Sequence, residues 1–558
     1  MLNEGEYDMK IVIIGSVAAG TSAAAKARRN SEEAEIKVFD ADEDISYSGC
    51  GLPYYIGPEV EERAQLVPRD VTFFKQKYNV DVYTSHRVLE IQPQTQTLTV
   101  KNLTTGQVFA ESYDRLVIAT GAQPVMLPIE GGDKTNVFTL RNVISADHIR
   151  NYILTAKPAA AVIIGSGFIG LELAENLVAR GIKVTIVELA GHVMPALDED
   201  VAVYIQDYLK EKGITVIVND SAIRLTGSDA VDTVILKSGQ ELAAGLVVMA
   251  VGVKPNVELA KAAGIEIGKT GAIAVNTRMQ TNFSDIYACG DCVESYSLIT
   301  GKPFYRPLGS TANKMGRIVG DQITGGSLEF QGGLGTGIFK VFDMAVAQTG
   351  LTEKEAKREG YEVVVCHNIK PDKAEYFGGQ DMLIKAVADK KTGKLLGAQI
   401  VGKGGVDKRI DVLVTAITFG AKAEDLFHLD LAYSPPFSTT KDPVMYTGMI
   451  LDNVLNHGRN LMTPRELREK AETGGTIQII DTRTAEQYQA GHVNGARNIP
   501  QNCIRQKLDA IDKELPVVTY CNMGVTGNAS QNILLNHGFK QVFNLSGGYK
   551  NFEKNEKK

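Results

Sequence analysis

One pattern occurs twice and constrains the fold more than any other feature. Lys10-Ile-Val-Ile-Ile-Gly15-Ser-Val-Ala-Ala-Gly20 leads through an alanine- and arginine-rich stretch to Ile36-Lys-Val-Phe-Asp40. Further along, Ala161-Val-Ile-Ile-Gly165-Ser-Gly-Phe-Ile-Gly170 leads to Lys183-Val-Thr-Ile-Val-Glu188. Each reads as a buried strand, a glycine turn, a helix and a second strand ending in an acid. That is the opening βαβ unit of a dinucleotide-binding domain. Two such units predict two Rossmann-like, three-layer α/β domains.

In the second repeat Gly165, Gly167 and Gly170 fit G-x-G-x-x-G completely. The first glycine permits the tight turn, the second lets a pyrophosphate approach the backbone, and the third lets the helix pack on its strand. Free N–H groups at the helix start favour the phosphates. Glu188 ends the second strand, where a carboxylate can bind both ribose hydroxyls and repel a 2′-phosphate, so NADH is expected over NADPH. The first repeat departs from the pattern: Val17 takes the middle glycine position, with Gly15 and Gly20 retained and Asp40 placed for a ribose.

The 558 residues call for several domains, and 44% hydrophobic with 22% charged residues is the balance of a water-soluble protein. A net charge of −7 gives nucleic-acid binding no electrostatic support. No apolar run is long enough to span a membrane, and the polar Met1–Asp8 reads as a loose extension. A cytoplasmic location is the default expectation. Six cysteines are too few for a disulfide scaffold, so a functional cysteine is expected to be catalytic. The pair Cys289 and Cys292 has metal-site spacing but no second ligand pair, so no metal is expected.

The expected order is a first dinucleotide domain in two parts, 9–150 and 276–328, around a second at 151–275. An α+β module follows at 329–450, then a linker at 451–463 containing Asn456-His-Gly-Arg-Asn460, and a small α/β domain at 464–558. Thr281–Asp291 reads as a returning strand of the first domain, Gly337–Phe342 and Leu383–Val387 as strands, and Lys408–Phe419 as a helix.

Three further motifs follow in order: Ser46-Tyr-Ser-Gly-Cys50-Gly-Leu-Pro-Tyr54, Ile118-Ala-Thr-Gly121 and Ala288-Cys-Gly-Asp291. With the glycine turns they resemble the single-cysteine branch of the pyridine nucleotide-disulfide oxidoreductases, over nearly the whole chain after Met9. The resemblance implies a homodimer with FAD on the first domain and NADH on the second. The 329–450 module would be the dimerisation domain. It implies cofactor contacts at Gly15, Ala19, Gly20, Asp40, Thr120, Gly121 and Asp291, the last on the FAD ribitol. On the NADH side it implies Gly165, Gly167, Phe168, Gly170, Glu188 and Gly252. Phe168 would gate the nicotinamide. Coenzyme A contacts carry over to Ser22, Lys26, Arg29, Ser46, Lys77 and Lys441, of which four are cationic, as a phosphate-rich thiol requires. Tyr376 and Tyr433 would come from the partner subunit and position or activate the sulfur.

Chemistry supports a sulfur role for Cys50 independently. Positions 45 and 55 are Ile and Tyr, so Cys50 lacks the partner of a two-cysteine reductase. A lone thiolate must form a mixed disulfide with substrate or be oxidised by peroxide.

The C-terminal motifs Asp481-Thr-Arg483-Thr-Ala-Glu486, Gly491-His-Val-Asn-Gly495 and Asn498-Ile-Pro500 resemble a rhodanese domain. The strand Val517–Tyr520 delivers Cys521 to a glycine-bearing loop before a helix, a setting in which backbone N–H groups can cradle a thiolate or persulfide. Thr526 stands where many rhodanese loops carry arginine, so ordinary thiosulfate sulfurtransfer is expected to be weak. Cys503 is expected to be structural.

The leading expectation is an NADH- and FAD-dependent reductase of coenzyme A persulfide, polysulfide or coenzyme A disulfide, with Cys50 and Cys521 as its reactive cysteines. The alternatives are an NADH oxidase or peroxidase cycling through a cysteine sulfenic acid, and a redox-sensing interaction protein.

Overall fold

The computed structural model describes residues 9–473 and 476–556; the expected loose extension Met1–Asp8 lies outside them. The chain divides into two compact units. The first is the chain to Gly191 with Lys212–Gly335, and the second is His192–Glu211 with Thr336 onward.

In the first unit both glycine-turn repeats form the expected βαβ units. The strand Lys10–Ile14 lies parallel between Glu35–Phe39 and Arg115–Ile118. Ile11, Val12 and Ile13 are fully buried, because helices cover both faces of such a sheet and an unbroken apolar run suits it. The strand Ile286–Ala288 pairs with Arg115–Ile118, which makes it the returning strand expected from Thr281–Asp291. The second repeat builds its own parallel sheet, ordered Thr215–Ile217, Lys183–Val187, Ala160–Ile164, Leu246–Met249 and Val137–Phe138.

Small residues set one close helix contact. Helix Ala18–Asn30 packs on helix Gly309–Gln322. A Cβ on Gly316 would lie 2.2 Å from the Ala19 carbonyl oxygen, and one on Gly320 2.4 Å from that of Ala23. Only glycine lets these backbones touch.

The second unit carries a five-stranded antiparallel sheet, ordered Gly337–Val341, Met344–Gly350, Leu395–Gly402, Asp381–Asp389 and Val363–Pro371. The expected helix appears as Val406–Thr418. Two boundaries differ from the sequence reading. Residues 192–211, expected within the 151–275 domain, belong to the second unit. Their helix Glu199–Glu211 is strongly amphipathic, and the Asp198 backbone N–H donates to the Gln399 side chain at 2.8 Å. Helix Pro443–His457 runs through position 450, where a linker was expected, and stops at Gly458, whose φ of 64° ends the helix in the left-handed region.

Beneath this sheet Lys385 is 1% exposed and meets three carboxylates. Its ammonium lies 2.8 Å from Asp200 and Glu353 and 3.1 Å from Asp198. The C-terminal part is a parallel sheet ordered Leu461–Met462, Val542–Leu545, Val517–Tyr520, Gln478–Asp481 and Arg497–Asn498. It is tied to the antiparallel sheet through His367, whose backbone N–H donates to Ser546 Oγ at 2.9 Å and whose Nε2 lies 2.8 Å from Asp200.

Candidate functional site

The two glycine turns share one device. At the second, Glu188 accepts from the Ser166 backbone N–H at 2.9 Å and from its hydroxyl at 2.6 Å. At the first, Asp40 accepts from the same two groups of Ser16 at 2.7 and 2.6 Å. Each strand-end acid thereby holds the serine that follows the first glycine. Gly15 and Gly165 have φ near +100°, and a Cβ on either would strike the facing carbonyl oxygen of Ala119 or Ala250. Gly20 and Gly170 lie against the carbonyls of Gly15 and Gly165. A Cβ on Gly167 would meet nothing within 4 Å, which leaves the approach open for a pyrophosphate. Val17 opens its helix at φ −97°, a conformation that does not need glycine, so the degraded first motif still forms the turn. Phe168 is half-buried at the first position of the second helix.

The first unit also gathers the motifs that match a flavin dinucleotide. Gly290 has φ +83°, and a Cβ there would lie 2.8 Å from the Ala19 side chain, so the Gly290-Asp291 turn rests on the start of helix Ala18–Asn30. Thr120 and Asn256 exchange hydrogen bonds at 2.8 Å, which joins the Gly121 loop to the segment after Gly252. Burial raises the Asp291 carboxyl while the guanidinium of Arg141 pulls it down. A phosphate-facing helix start, a strand-end acid and a second-motif aspartate on one sheet edge fit an extended FAD.

Cys50 lies in a short turn, Gly49–Gly51, that runs into helix Leu52–Ile56, and it is solvent-accessible. The burial it does experience, then the Glu172 and Asp291 carboxylates, push its thiol up. These two neighbours come from the second glycine-turn helix and from the flavin motif. Glu172 is itself pushed up to about 7, first by burial and then by Glu175, against a hydrogen bond from Tyr54. The carboxylates near Cys50 disfavour its thiolate.

Two of the carried-over coenzyme A positions meet around aromatic rings. Arg29 stacks over Tyr78 at 5.5 Å, and Lys77 lies 5.2 Å from the Phe73 ring centre. Arg69, which the sequence reading omits, lies 5.7 Å from the Phe73 ring centre. Lys26 is engaged elsewhere, paired with Asp321 at 3.0 Å, and Ser22 donates to Asn313 at 2.6 Å. Ser46 has φ +50°, and its N–H donates to the Ser16 carbonyl, which ties the Cys50 segment to the first glycine turn.

In the second unit Tyr376 and Tyr433 are 77% and 49% exposed. The Ala374 N–H donates to the Pro435 carbonyl, bringing their two loops together. Tyr433, Phe437, Lys408 and Arg409 line a cavity of about 560 Å³ beside them. Arg409 is fully buried there and bound to Asp442 at 2.9 Å. Lys441 is exposed, 5.8 Å from the Tyr446 ring centre.

Cys521 is buried at the end of its strand and accepts from the Gly524 N–H at 3.2 Å. Gly524, at φ +94°, opens helix Val525–Asn536. Thr526 points its hydroxyl to Thr482 at 3.4 Å. Arg483 braces the loop: it pairs with buried Asp481 at 2.6 Å, donates to the Gly491 carbonyl and reaches the Asn522 side chain at 3.4 Å. Cys289 and Cys292 are fully buried thiols, and Cys292 donates to the Cys289 carbonyl. Cys503 is half-buried and donates to Asn502.

Sequence reasoning missed Arg141, Glu172 and Arg69 as site residues. Glu172 follows Gly170 by two positions as an acid within a largely apolar helix, a signal that was present; Arg141 and Arg69 carry none outside the fold.

The pattern described as pyridine nucleotide-disulphide oxidoreductase matches residues 9–306, its dimerisation domain residues 337–443, and a rhodanese-like domain residues 463–555. A NAD(P)H coenzyme A polysulfide/persulfide reductase of Pyrococcus horikoshii is 37% identical over 79% of this chain and 98% of its own. The crystal structure of reduced Bacillus anthracis CoADR-RHD is similar with a TM-score of 0.95, at 38% identity over 98% of both chains. A NAD-dependent persulfide reductase from A. fulgidus is similar with a TM-score of 0.91, at 38% identity over 98% of this chain and 100% of the other.

Proposed function

We propose, from the premise that this chain belongs to the pyridine nucleotide-disulphide oxidoreductases and carries a rhodanese-like domain, that it reduces coenzyme A persulfide, polysulfide or coenzyme A disulfide with NADH. Bound FAD supplies the two-electron relay between nicotinamide and sulfur. The observation that carries the substrate class is a single reactive-type cysteine in the same unit as the cationic-aromatic cluster of Arg29, Lys77, Tyr78 and Phe73. Guanidinium and ammonium groups beside aromatic faces suit an adenine ring and its phosphates.

In this reading the Cys50 thiolate attacks the substrate S–S bond. A mixed disulfide forms, and sulfide or a thiol leaves. Two electrons and a proton then return Cys50 and release the second thiol. Glu172, raised to about 7, is suited to hold or release a proton near neutral pH. Because the carboxylates around Cys50 oppose its thiolate, a donor must offset them. Tyr376 and Tyr433, exposed hydroxyls of the dimerisation domain, are the residues proposed to do so from the partner subunit of a homodimer. Ser22, Ser46, Lys26 and Lys441 complete the proposed coenzyme A contacts. Cys521 is proposed to carry sulfane sulfur.

The test is Cys50→Ser in the FAD-loaded protein. NADH should still bleach the flavin, while turnover with coenzyme A persulfide or disulfide should fall at least about a hundredfold. Retained sulfur turnover would overturn the proposal. Sustained oxygen-dependent NADH consumption without a sulfur acceptor would favour the oxidase reading instead.

A further inference from the structure

We propose that Lys370 and Tyr446 join Lys441 in a cationic–aromatic site on the dimerisation domain that takes a phosphate group of coenzyme A. This rests on the reading that coenzyme A derivatives are the substrates, and it deepens that reading by naming two residues that hold them.

The strand Val363–Pro371 sends alternate side chains to opposite faces. His367 meets Ser546 and Asp200 on one face. Asn368, on the other, donates to the Pro443 carbonyl and to Thr447 of helix Pro443–His457. Lys370 shares the Asn368 face, and its ammonium stands 4.3 Å from the Tyr446 ring centre on that helix. Lys441, just before the helix, brings a second ammonium to 5.8 Å from the same centre. A tyrosine face attracts each cation, but two like charges gathered on one ring repel each other. Neither ammonium pairs with a carboxylate among the described residues. The acids beside them are committed: Asp381 to Lys550 and Asp442 to Arg409. Lys370 is half-buried. Burial is the chief cause of its lowered proton affinity and Lys441 acts in the same sense, while the charges of Cys521 and Asp381 offset part of this. A half-buried cation beside a second one, with no paired acid, is a place that an anion stabilises.

The same two chain segments lead to the cavity beside Tyr433. Asp372 and Lys373 follow Lys370 and line that cavity with Tyr433 and Phe437. The hydrogen bond from the Ala374 N–H to the Pro435 carbonyl joins the segments at 3.3 Å. Lys441 lies a few residues beyond Phe437. A phosphate between the two ammonium groups removes their repulsion. Coenzyme A carries its phosphates at one end and its thiol on a long arm, so a phosphate held by Lys370 and Lys441 leaves the arm free to enter the cavity. Inorganic phosphate offers only the first of these contacts.

The experiment measures the binding of adenosine 3′,5′-bisphosphate to the full FAD-loaded chain by titration calorimetry, together with steady-state reduction of coenzyme A disulfide. Lys370→Met should weaken bisphosphate binding roughly threefold to tenfold and raise KM for the disulfide by a similar factor, with kcat changed less than about twofold. Lys370→Arg should restore both, and Tyr446→Leu should weaken binding about twofold to fivefold. If the Met variant does not fold, Lys370→Gln carries the same test. Unchanged binding in the Met or Leu variant, or an Arg variant that behaves like Met, overturns the proposal. Inorganic phosphate that displaces the bisphosphate at equal concentration would show a general anion site and overturn it as well. The substrate reading fails separately: the wild-type chain would then bind the bisphosphate yet reduce neither coenzyme A disulfide nor coenzyme A persulfide.

Discussion

Ser166 and Glu188 are joined twice, through the serine N–H at 2.9 Å and its hydroxyl at 2.6 Å, with Glu188 7% exposed. The acid that is expected to meet the ribose also holds the phosphate-binding turn. Wild-type kcat/KM should therefore favour NADH over NADPH. Glu188→Ala should reduce that preference roughly tenfold and also raise KM for NADH, because the turn loses its brace. Steady-state kinetics with both coenzymes check this; a wild-type preference for NADPH would refute it.

Glu172 gives a pH signature of definite sign. Its carboxyl is raised from 4.5 to about 7, so the native state holds a proton that the unfolded state has lost. Stability should fall as pH rises from about 4.5 to 7 and stay low above that range. Glu172→Gln should remove this slope and be more stable by about 1–2 kcal/mol at pH 8. Cys50 should also alkylate about threefold faster in the variant at pH 8, since a carboxylate beside its thiol is gone. Urea midpoints at pH 5 and 8 and iodoacetamide rates test both.

The buried Lys385 cluster behaves in the opposite direction. Its lysine and the His367 ring hold the Asp200 carboxyl well below the usual range despite burial. Such a group contributes stability above its unfolded pKa, and the contribution is lost as pH falls through the depressed native value. Lys385→Met should cost about 3 kcal/mol or more at pH 7, because three carboxylates lose their shared cation. The deficit should shrink only below about pH 4, as the Asp200 carboxyl begins to take up a proton. A pH-independent deficit would show a packing effect alone.

Cys521→Ser separates the two cysteines. Coenzyme A persulfide should still be reduced at Cys50, whereas turnover of extended polysulfide donors should slow severalfold. Thiosulfate:cyanide sulfurtransfer should be weak even in the wild type, given Thr526 in the loop. Rates with both donor classes decide it: equal loss would make Cys521 obligatory, and no loss would give its domain another task.

Much of the chemistry was legible because it is local. Glycine spacing, strand-end acids and the Cys50 and Cys521 segments sit within short windows, where backbone geometry alone dictates residue type. The same locality explains why the degraded first motif could be read at all: Val17 occupies a position whose φ does not demand glycine. What the tertiary structure alone decided depends on segments far apart in the chain. Residues 192–211 leave the domain that precedes them because the Glu199–Glu211 helix buries its apolar face in the second unit. Glu172 acquires its raised carboxyl chiefly from burial, and Arg141 reaches the field of Asp291 from another loop. Charge and burial are sums over neighbours in space, and no window of sequence contains those neighbours.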